Sequence, residues 1–505
     1  MTKPEVLTEA RRLLYAHFGY TSFHPAQETL ISEILDGTDV LGIMPTGAGK
    51  SMCYQIPALM LPGITLVISP LISLMQDQVR ALKAAGIAGA YLNSSLTYRQ
   101  YLKALDNARM GMYKIIYVAP ERLETEEFLS FVRSVRISLV AVDEAHCVSQ
   151  WGHDFRPSYM GVAPFVERLQ ERPVVAAFTA TATPAVKQDI LAHLRLQNPE
   201  VQVTGFDREN LMLRVLRPQD KMAALLEFVR QHPEESGIVY CSTRKQVERV
   251  TGILREQGFL VAGYHGGMDE QERREGQNLF VFDKIKIMVA TNAFGMGIDK
   301  QNVRYVVHYN MPKNLEAYYQ EAGRAGRDGS SAECLLLYGP GDVHTAEFLI
   351  RSSVEGLDAQ TAKIRLQMEM DKLERMKEYC FTSGCLRHYI LQYFGQDAPT
   401  RCKGCGNCLA KEHVLAALRA GPRREKEKSL YELLRSVRTD FADRANLPPE
   451  LILSDRTLSE MAAKRPQNEY DMMQIPGISP VKYQMYGKTF LKVIQRNSHR
   501  RSGVT

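Results

Sequence analysis

At 505 residues, the chain has room for roughly three domains of ordinary size. Its 45% hydrophobic and 24% charged residues are the proportions of a globular protein and exclude wholesale disorder, collagen-like repeats and coiled-coil rods. The net charge is +6 overall, but residues 411 to 505 hold 18 Lys and Arg against 11 Asp and Glu, leaving the first 410 at −1; attraction for a polyanion is therefore concentrated in the tail, although such an excess also describes an ordinary solvated surface.

The opening MTKPEVLTEARR mixes acidic and basic residues where a signal peptide needs an apolar stretch. No apolar run approaches the about 18 residues needed to cross a bilayer, so a cytosolic protein without membrane contact is expected. From residue 38 to 340, short β-branched runs alternate with helical patterns: DVLGIM, ITLVISP, KIIYVAP, SLVAVDE and VVAAFTA, then GIVYCS, LVAGYHG, IKIMVAT and VRYVVHYN. Near-continuous apolar strands separated by helices predict parallel sheets buried on both faces. The rhythm breaks at NPEVQVTGFDRENLMLR, so the expectation is two α/β domains, 1–205 and 206–345. Residues 355 to 395 carry the spacing of an amphipathic helix within a helical, Cys-rich region (346–410). A charged linker (411–428) and a small all-α bundle (429–498) complete the expected order.

The strand DVLGIM runs into PTGAGKS, a Gly-rich turn whose backbone amides at Thr46, Gly47, Ala48 and Gly49 suit a phosphate at a helix N-terminus. In that pattern Lys50 reaches the β- and γ-phosphates and Ser51 holds Mg²⁺; Met44 stands where the strict pattern has Gly. The strand ISLVAV ends in Asp143, placed for Mg²⁺, and Glu144, placed to orient or deprotonate the attacking water. Alone, an acidic pair after a strand is an ordinary helix start; together with the P-loop it completes a nucleotide site. YYQEAGRAGRDG presents Gln320, Arg324 and Arg327 along a helical turn and loop, and arginines from a neighbouring domain can neutralise charge on a transferring phosphoryl group. ATP is then expected between the two domains. Nine Cys in a reducing compartment suggest metal ligands or buried thiols rather than a disulfide framework. Cys402, Cys405 and Cys408 form a tight cluster whose fourth ligand is Cys385 or Cys380, suiting Zn²⁺ or an iron-sulfur cluster.

PTGAGKS, SPLISLMQDQV, VAPERL, DEAHCVSQWGHDFRP, FTATAT, YCSTRKQVE, ATNAFGMGIDK and QEAGRAGRDG occur in the order of superfamily 2 helicases, and DEAHCVSQWGHDFRP with GMGIDKQNVRYVVHYNMP resembles the RecQ family over residues 10 to 410. The resemblance implies two tandem RecA-like domains and an ATP-dependent DNA helicase that moves 3′ to 5′ in recombination and repair by opening and closing the inter-domain cleft. By the same resemblance FGYTSFHPAQE binds adenine, with Tyr20 stacking and Gln27 bonding the base edge, and His24 stands where Arg is usual. Trp151, His153, Phe155 and Arg156 of an aromatic-rich loop then couple single-strand binding to hydrolysis, consistent with the way aromatic faces stack on bases. The bland alternative for Trp151 is a buried loop anchor. Thr179, Ala180 and Thr181 would link the domains, and Ser69, Thr243, Thr291 and Asn292 would touch the phosphate backbone.

GCLRHYILQYFG matches the family pattern that makes Cys385 the fourth ligand of a structural Zn²⁺. Residues 429 to 496 resemble the HRDC domain, a small helical bundle able to bind DNA. The winged-helix domain common in the family is about 100 residues, the size of an ordinary small domain, and cannot fit in the 20 residues between Cys408 and Ser429. The implied cofactors are ATP, Mg²⁺ and Zn²⁺. The implied partners are single-stranded and forked or branched DNA with replication and repair proteins, acting on a monomer associated with the nucleoid in a prokaryote. The nucleotide motifs alone leave open an RNA helicase of the same superfamily, or a nucleotide-switched DNA-binding or annealing protein that does not unwind.

Overall fold

The computed structural model describes residues 3–152, 154–294, 300–356, 358–409, 430–445 and 447–502. They fall into two units: the described residues of Met1–Gly205 and Glu427–Thr505, and those of Phe206–Met296 and Lys300–Lys426. The expected linker (411–428) and His153 lie outside the described residues.

The first unit is built on seven strands, β1 (Val40–Ile43), β2 (Ile64–Ile68), β3 (Gly89–Leu92), β4 (Ile115–Val118), β5 (Ile137–Val142), β6 (Val174–Thr179) and β7 (Glu200–Val203), in the order β3-β4-β2-β5-β6-β1-β7. All pairings are parallel. The four residues of β1 and of β4 and the five of β2 are all buried, because helices cover both faces. Leu30, Val67, Tyr117, Leu139 and Phe178 form part of its core.

The second unit holds β8 (Leu211–Leu216), β9 (Ser236–Tyr240), β10 (Val261–Tyr264), β11 (Ile287–Ala290), β12 (Val303–His308) and β13 (Ala332–Leu337), ordered β10-β11-β9-β12-β13-β8 and again all parallel. Both expected α/β domains are therefore present.

Four strands escape the apolar-run pattern. β7 and β8 lie inside the stretch expected to interrupt the rhythm; β7 is a partly exposed edge strand with no continuous apolar run, and β8 alternates buried and half-exposed residues. β3 and β13 begin at Gly89 and Ala332, whose small side chains weaken the signal. The helix expected over 355–395 is two helices, Ala359–Phe381 and Leu386–Tyr393. The break places Cys385 at the N-cap of the second, where its sulfur accepts the His388 amide at 3.5 Å.

Helices Leu430–Ala445, Asp455–Lys464 and Lys488–Ser502 with shorter turns form the C-terminal bundle. Its core includes Leu434, Ile452, Leu458, Met472, Ile478 and Phe490. Arg438 is fully buried and is held by Glu450 at 3.0 Å and Asp455 at 2.8 Å, which meets the requirement that a buried charge be paired.

Candidate nucleotide and nucleic-acid site

Strands β5, β6 and β1 are neighbours running in the same direction. Their C-terminal ends therefore bring three loops to one edge: Asp143–Glu144 after β5, Thr179–Thr181 at the end of β6, and Pro45–Ser51 after β1. This is where open parallel sheets bind ligands. Gly47 (φ 85°) and Gly49 (φ 73°) take left-handed backbone in the phosphate loop. A Cβ on Gly49 would stand 2.5 Å from Nε2 of Gln27. That amide donates to the carbonyls of Ala48 (3.1 Å) and Gly49 (3.2 Å), and its Oε1 accepts the His24 amide at 2.9 Å. Gln27 thus ties the segment expected to bind adenine to the Gly-rich turn, a role the sequence did not suggest. Tyr20, expected to stack on the base, is half exposed. Lys50 Nζ donates to the carbonyls of Met44 (3.1 Å) and Pro45 (3.4 Å), and Ser51 opens the helix Met52–Met60.

Burial pushes the Asp143 carboxyl up to about 7, Glu144 adds to the effect, and Lys50 opposes it. A buried carboxyl so raised gains from a divalent cation, so the donor set of Ser51 and Asp143 fits Mg²⁺. Tyr159 donates to the Asp143 carbonyl at 2.9 Å. Glu144 adopts left-handed backbone (φ 48°, ψ 47°), a costly conformation for a non-glycine residue and one that gathers at functional sites. Its amide donates to Asp143 Oδ1 at 3.0 Å, and its buried Oε2 has no hydrogen-bond partner among the described residues. That oxygen lies 3.3 Å from His146 Nδ1, but the same nitrogen is bonded to Thr179 Oγ1 at 2.9 Å. Burial pushes His146 down to about 4, so the ring is neutral and the pair is not a salt bridge. His146 was not singled out in the sequence; its tie to Thr179 joins the loops of β5 and β6.

In the aromatic-rich loop Trp151 is 48% exposed, which overturns the buried-anchor alternative. Phe155 is half-buried. Arg156 is braced within the protein, Nε and Nη2 each 3.1 Å from Asp154 Oδ2 and Nη1 2.8 Å from the Pro70 carbonyl. Ser69 is fully buried, a correction to its expected contact with DNA phosphates. Thr243 caps the helix Arg244–Glu256 through the Gln246 amide, Thr291 is buried, and Asn292 is exposed.

In the second unit Gln320 lies in the helix Leu315–Ala322, with Arg324 and Arg327 in the turn that follows. Gln320 and Arg324 are buried, and the Arg324 Nε has no hydrogen-bond partner among the described residues. Such an orphaned guanidinium donor is available to an anionic ligand.

The sulfurs of Cys385, Cys402, Cys405 and Cys408 all lie within 4.8 Å of one another, while Cys380 stands outside the group. Burial tends to raise the Cys405 thiol, but the amides of Cys408 and Leu386 and the neighbouring thiols overcome it and hold it below its ordinary value. Four clustered thiols with amide support fit a closed tetrahedral Zn²⁺ site. The knot is fastened to β8: the Leu213 amide donates to the Gly404 carbonyl at 3.0 Å, and Arg387 donates to the Arg208 (2.7 Å) and Leu211 (2.6 Å) carbonyls.

Within the first unit the C-terminal bundle meets the segment expected to bind adenine. The Gly477 amide donates to the Gly19 carbonyl at 3.2 Å. Gly19 has φ +76°, and a Cβ there would lie 2.8 Å from the backbone of Ile478 and Ser479, so only glycine permits this approach.

Four family descriptions match successive parts of the chain: DEAD/DEAH box helicase at residues 24–190, helicase conserved C-terminal domain at 220–329, RecQ zinc-binding at 340–409 and HRDC domain at 427–494. The chain is 37% identical to the ATP-dependent DNA helicase RecQ of Bacillus subtilis over 97% of its own length and 99% of the relative's. It is 34% identical to the protein of the same name from Pasteurella multocida, over 96% and 93%. The Bacillus alignment runs to 591 positions against the 505 residues present here, so at least 86 positions are filled by the relative alone. Among solved structures, the helicase Lhr of Mycobacterium smegmatis bound to single-stranded DNA and AMP-PNP is similar with a TM-score of 0.54 at 16% identity, over 92% of this chain and 74% of that one. That likeness is one of fold.

Proposed function

The chain belongs to the RecQ family of ATP-dependent DNA helicases, and from that membership we propose how its residues couple ATP hydrolysis to movement 3′ to 5′ along one DNA strand and to duplex separation in recombination and repair. The observation that carries this reading is the gathering of Lys50, Asp143, Glu144 and Thr179 at one edge of the first sheet. Tyr20 stacks the adenine and Gln27 sets the phosphate loop from behind. Amides of Thr46 to Gly49 cradle the phosphates, and Lys50 leaves the carbonyls of Met44 and Pro45 for the β- and γ-oxygens. Ser51 and Asp143 would hold Mg²⁺, which would neutralise charge on the phosphates. Glu144 orients the attacking water with its unpartnered Oε2 and accepts its proton. Gln320, Arg324 and Arg327 serve the transferring phosphoryl group. Trp151 and Phe155 stack on bases and report occupancy by single-stranded DNA.

The proposed substrates are single-stranded and forked or branched DNA, acted on by a monomer at the nucleoid together with repair proteins. No described helix is long and apolar enough to cross a membrane. The zinc-region helices are proposed as a passive wedge in place of the winged helix for which the sequence has no room. Strand displacement from duplexes carrying a 3′ or a 5′ single-stranded tail tests direction: release only from the 3′-tailed substrate is expected, and equal release from both would reject it.

A further inference from the structure

The turn Ala145–Val148 joins Glu144 to the loop that carries Trp151, and it is attached at one end to the last residue of β6 and at the other to the helix that follows. At one end stands the His146–Thr179 bond. At the other, Ser149, fully buried, donates its hydroxyl to Asp189 Oδ2 at 2.6 Å, a short, charge-assisted bond. The same Ser149 oxygen accepts the Trp151 amide at 3.1 Å. Asp189 lies on the helix Pro184–His193, which begins at the N-cap Thr183, whose hydroxyl accepts the Val186 amide. Two residues before that cap, Thr181 bonds back to Thr179 through its amide at 3.2 Å. Gly152 lets the loop pass close against this turn, because a Cβ there would lie 2.6 Å from the His146 carbonyl.

We propose that Asp189, acting through Ser149, is a positioning residue that sets the backbone of Trp151 and transmits occupancy of the aromatic-rich loop to Glu144 and Thr179. The inference rests on the reading of Trp151 as a sensor of single-stranded DNA and adds the element that ties the sensor to the hydrolytic edge. A rigid bond at Ser149 has two consequences. Displacement of Trp151 by a stacked base moves Ser149, and with it the far end of the turn whose near end holds His146. The helix Pro184–His193 follows, because Asp189 is bonded to the same hydroxyl. Neither Ser149 nor Asp189 need touch DNA or nucleotide for this.

Trp151 is the chain's single tryptophan, so its emission reports the loop alone. In the full-length protein Asp189→Ala and Ser149→Ala are expected to lower stimulation of ATPase by single-stranded DNA by about 5- to 30-fold, the range of a modest coupling between sites. KM for ATP and basal turnover should remain near wild type, and Trp151 emission should shift in the absence of DNA. Asp189→Asn keeps an oxygen acceptor for the Ser149 hydroxyl and should restore most of the stimulation. The double variant should be no worse than either alanine variant, because both remove the same bond.

Wild-type stimulation and emission in Asp189→Ala would overturn the proposal, as would equal loss of basal and stimulated turnover in Asp189→Asn. Trp151→Ala run beside them separates the two readings: if it keeps full stimulation the sensor itself is rejected, and if it loses stimulation while Asp189→Ala does not, only the coupling role is rejected.

Discussion

The His146 ring and the Thr179 hydroxyl, 33 residues apart in sequence, meet at 2.9 Å at the C-terminal edge of the first sheet. The ring is 1% exposed and held neutral by burial, with its pKa pushed down from 6.5 to about 4. The unfolded chain therefore binds a proton that the folded chain refuses, so stability from this residue is intact above pH 6.5 and falls as pH drops towards 4. Between pH 7.5 and 5.5 the loss is about 1.4 kcal/mol. Denaturant titrations should show that His146→Gln is less sensitive to this pH change by that amount; an unchanged difference would place the ring elsewhere. Thr179→Val should reduce DNA-stimulated turnover.

Lys50 and Glu144 should separate binding from chemistry. Lys50→Ala is expected to weaken nucleotide binding and abolish turnover. Glu144→Gln should keep nucleotide while lowering kcat by about 10²- to 10⁴-fold, the worth of a general base. Rapid-quench hydrolysis beside equilibrium nucleotide titration distinguishes them, and turnover within a few-fold of wild type in either variant would remove that residue from the mechanism.

The residues legible in the sequence are those whose signal is local. Lys50, Ser51, Asp143 and Glu144 each follow a strand within eight residues, so an apolar run and a short motif suffice. Cys385, 17 residues before Cys402, needed the family pattern to be preferred over Cys380. The Ser149–Asp189 bond has no such signature, because its partners meet only through the pairing of β5 with β6, an order that periodicity does not report; the Gln27–Gly49 bond joins the helix before β1 to the loop after it, a tertiary contact that no motif spells out. β7 escaped because an exposed edge strand lacks the buried apolar run used to find the others. Ser69 was misplaced because a Ser after a strand reads the same whether its hydroxyl faces solvent or the core.

One zinc ion per chain is expected by metal analysis, in a colourless preparation. Cys385→Ser or Cys405→Ser should lose the metal and loosen residues 382–409, since a structural zinc contributes to folding directly. Visible absorption with bound iron would contradict the assignment.

The bond from Gly477 to Gly19 makes the C-terminal bundle a neighbour of Tyr20. Gly19→Ala places an L-residue in left-handed backbone at a cost of about 1 to 2 kcal/mol, in addition to the clash with Ile478 and Ser479. Faster amide exchange across residues 475–482 is expected, and unchanged exchange would argue against the docking. Removing residues 421–505 should raise KM for ATP, and should lower unwinding and steepen its salt dependence more than it lowers kcat, because the basic tail is lost. Equal rate and processivity on long forked duplexes would contradict this.

The central claim, that ATP hydrolysis at Lys50, Asp143 and Glu144 is driven by a single strand of DNA, is tested most directly by steady-state ATPase with single-stranded DNA and with RNA of the same sequence. The account predicts stimulation by DNA of at least about 10-fold, as for coupled binding sites, and little by RNA; equal stimulation by both, or turnover indifferent to either, would contradict it.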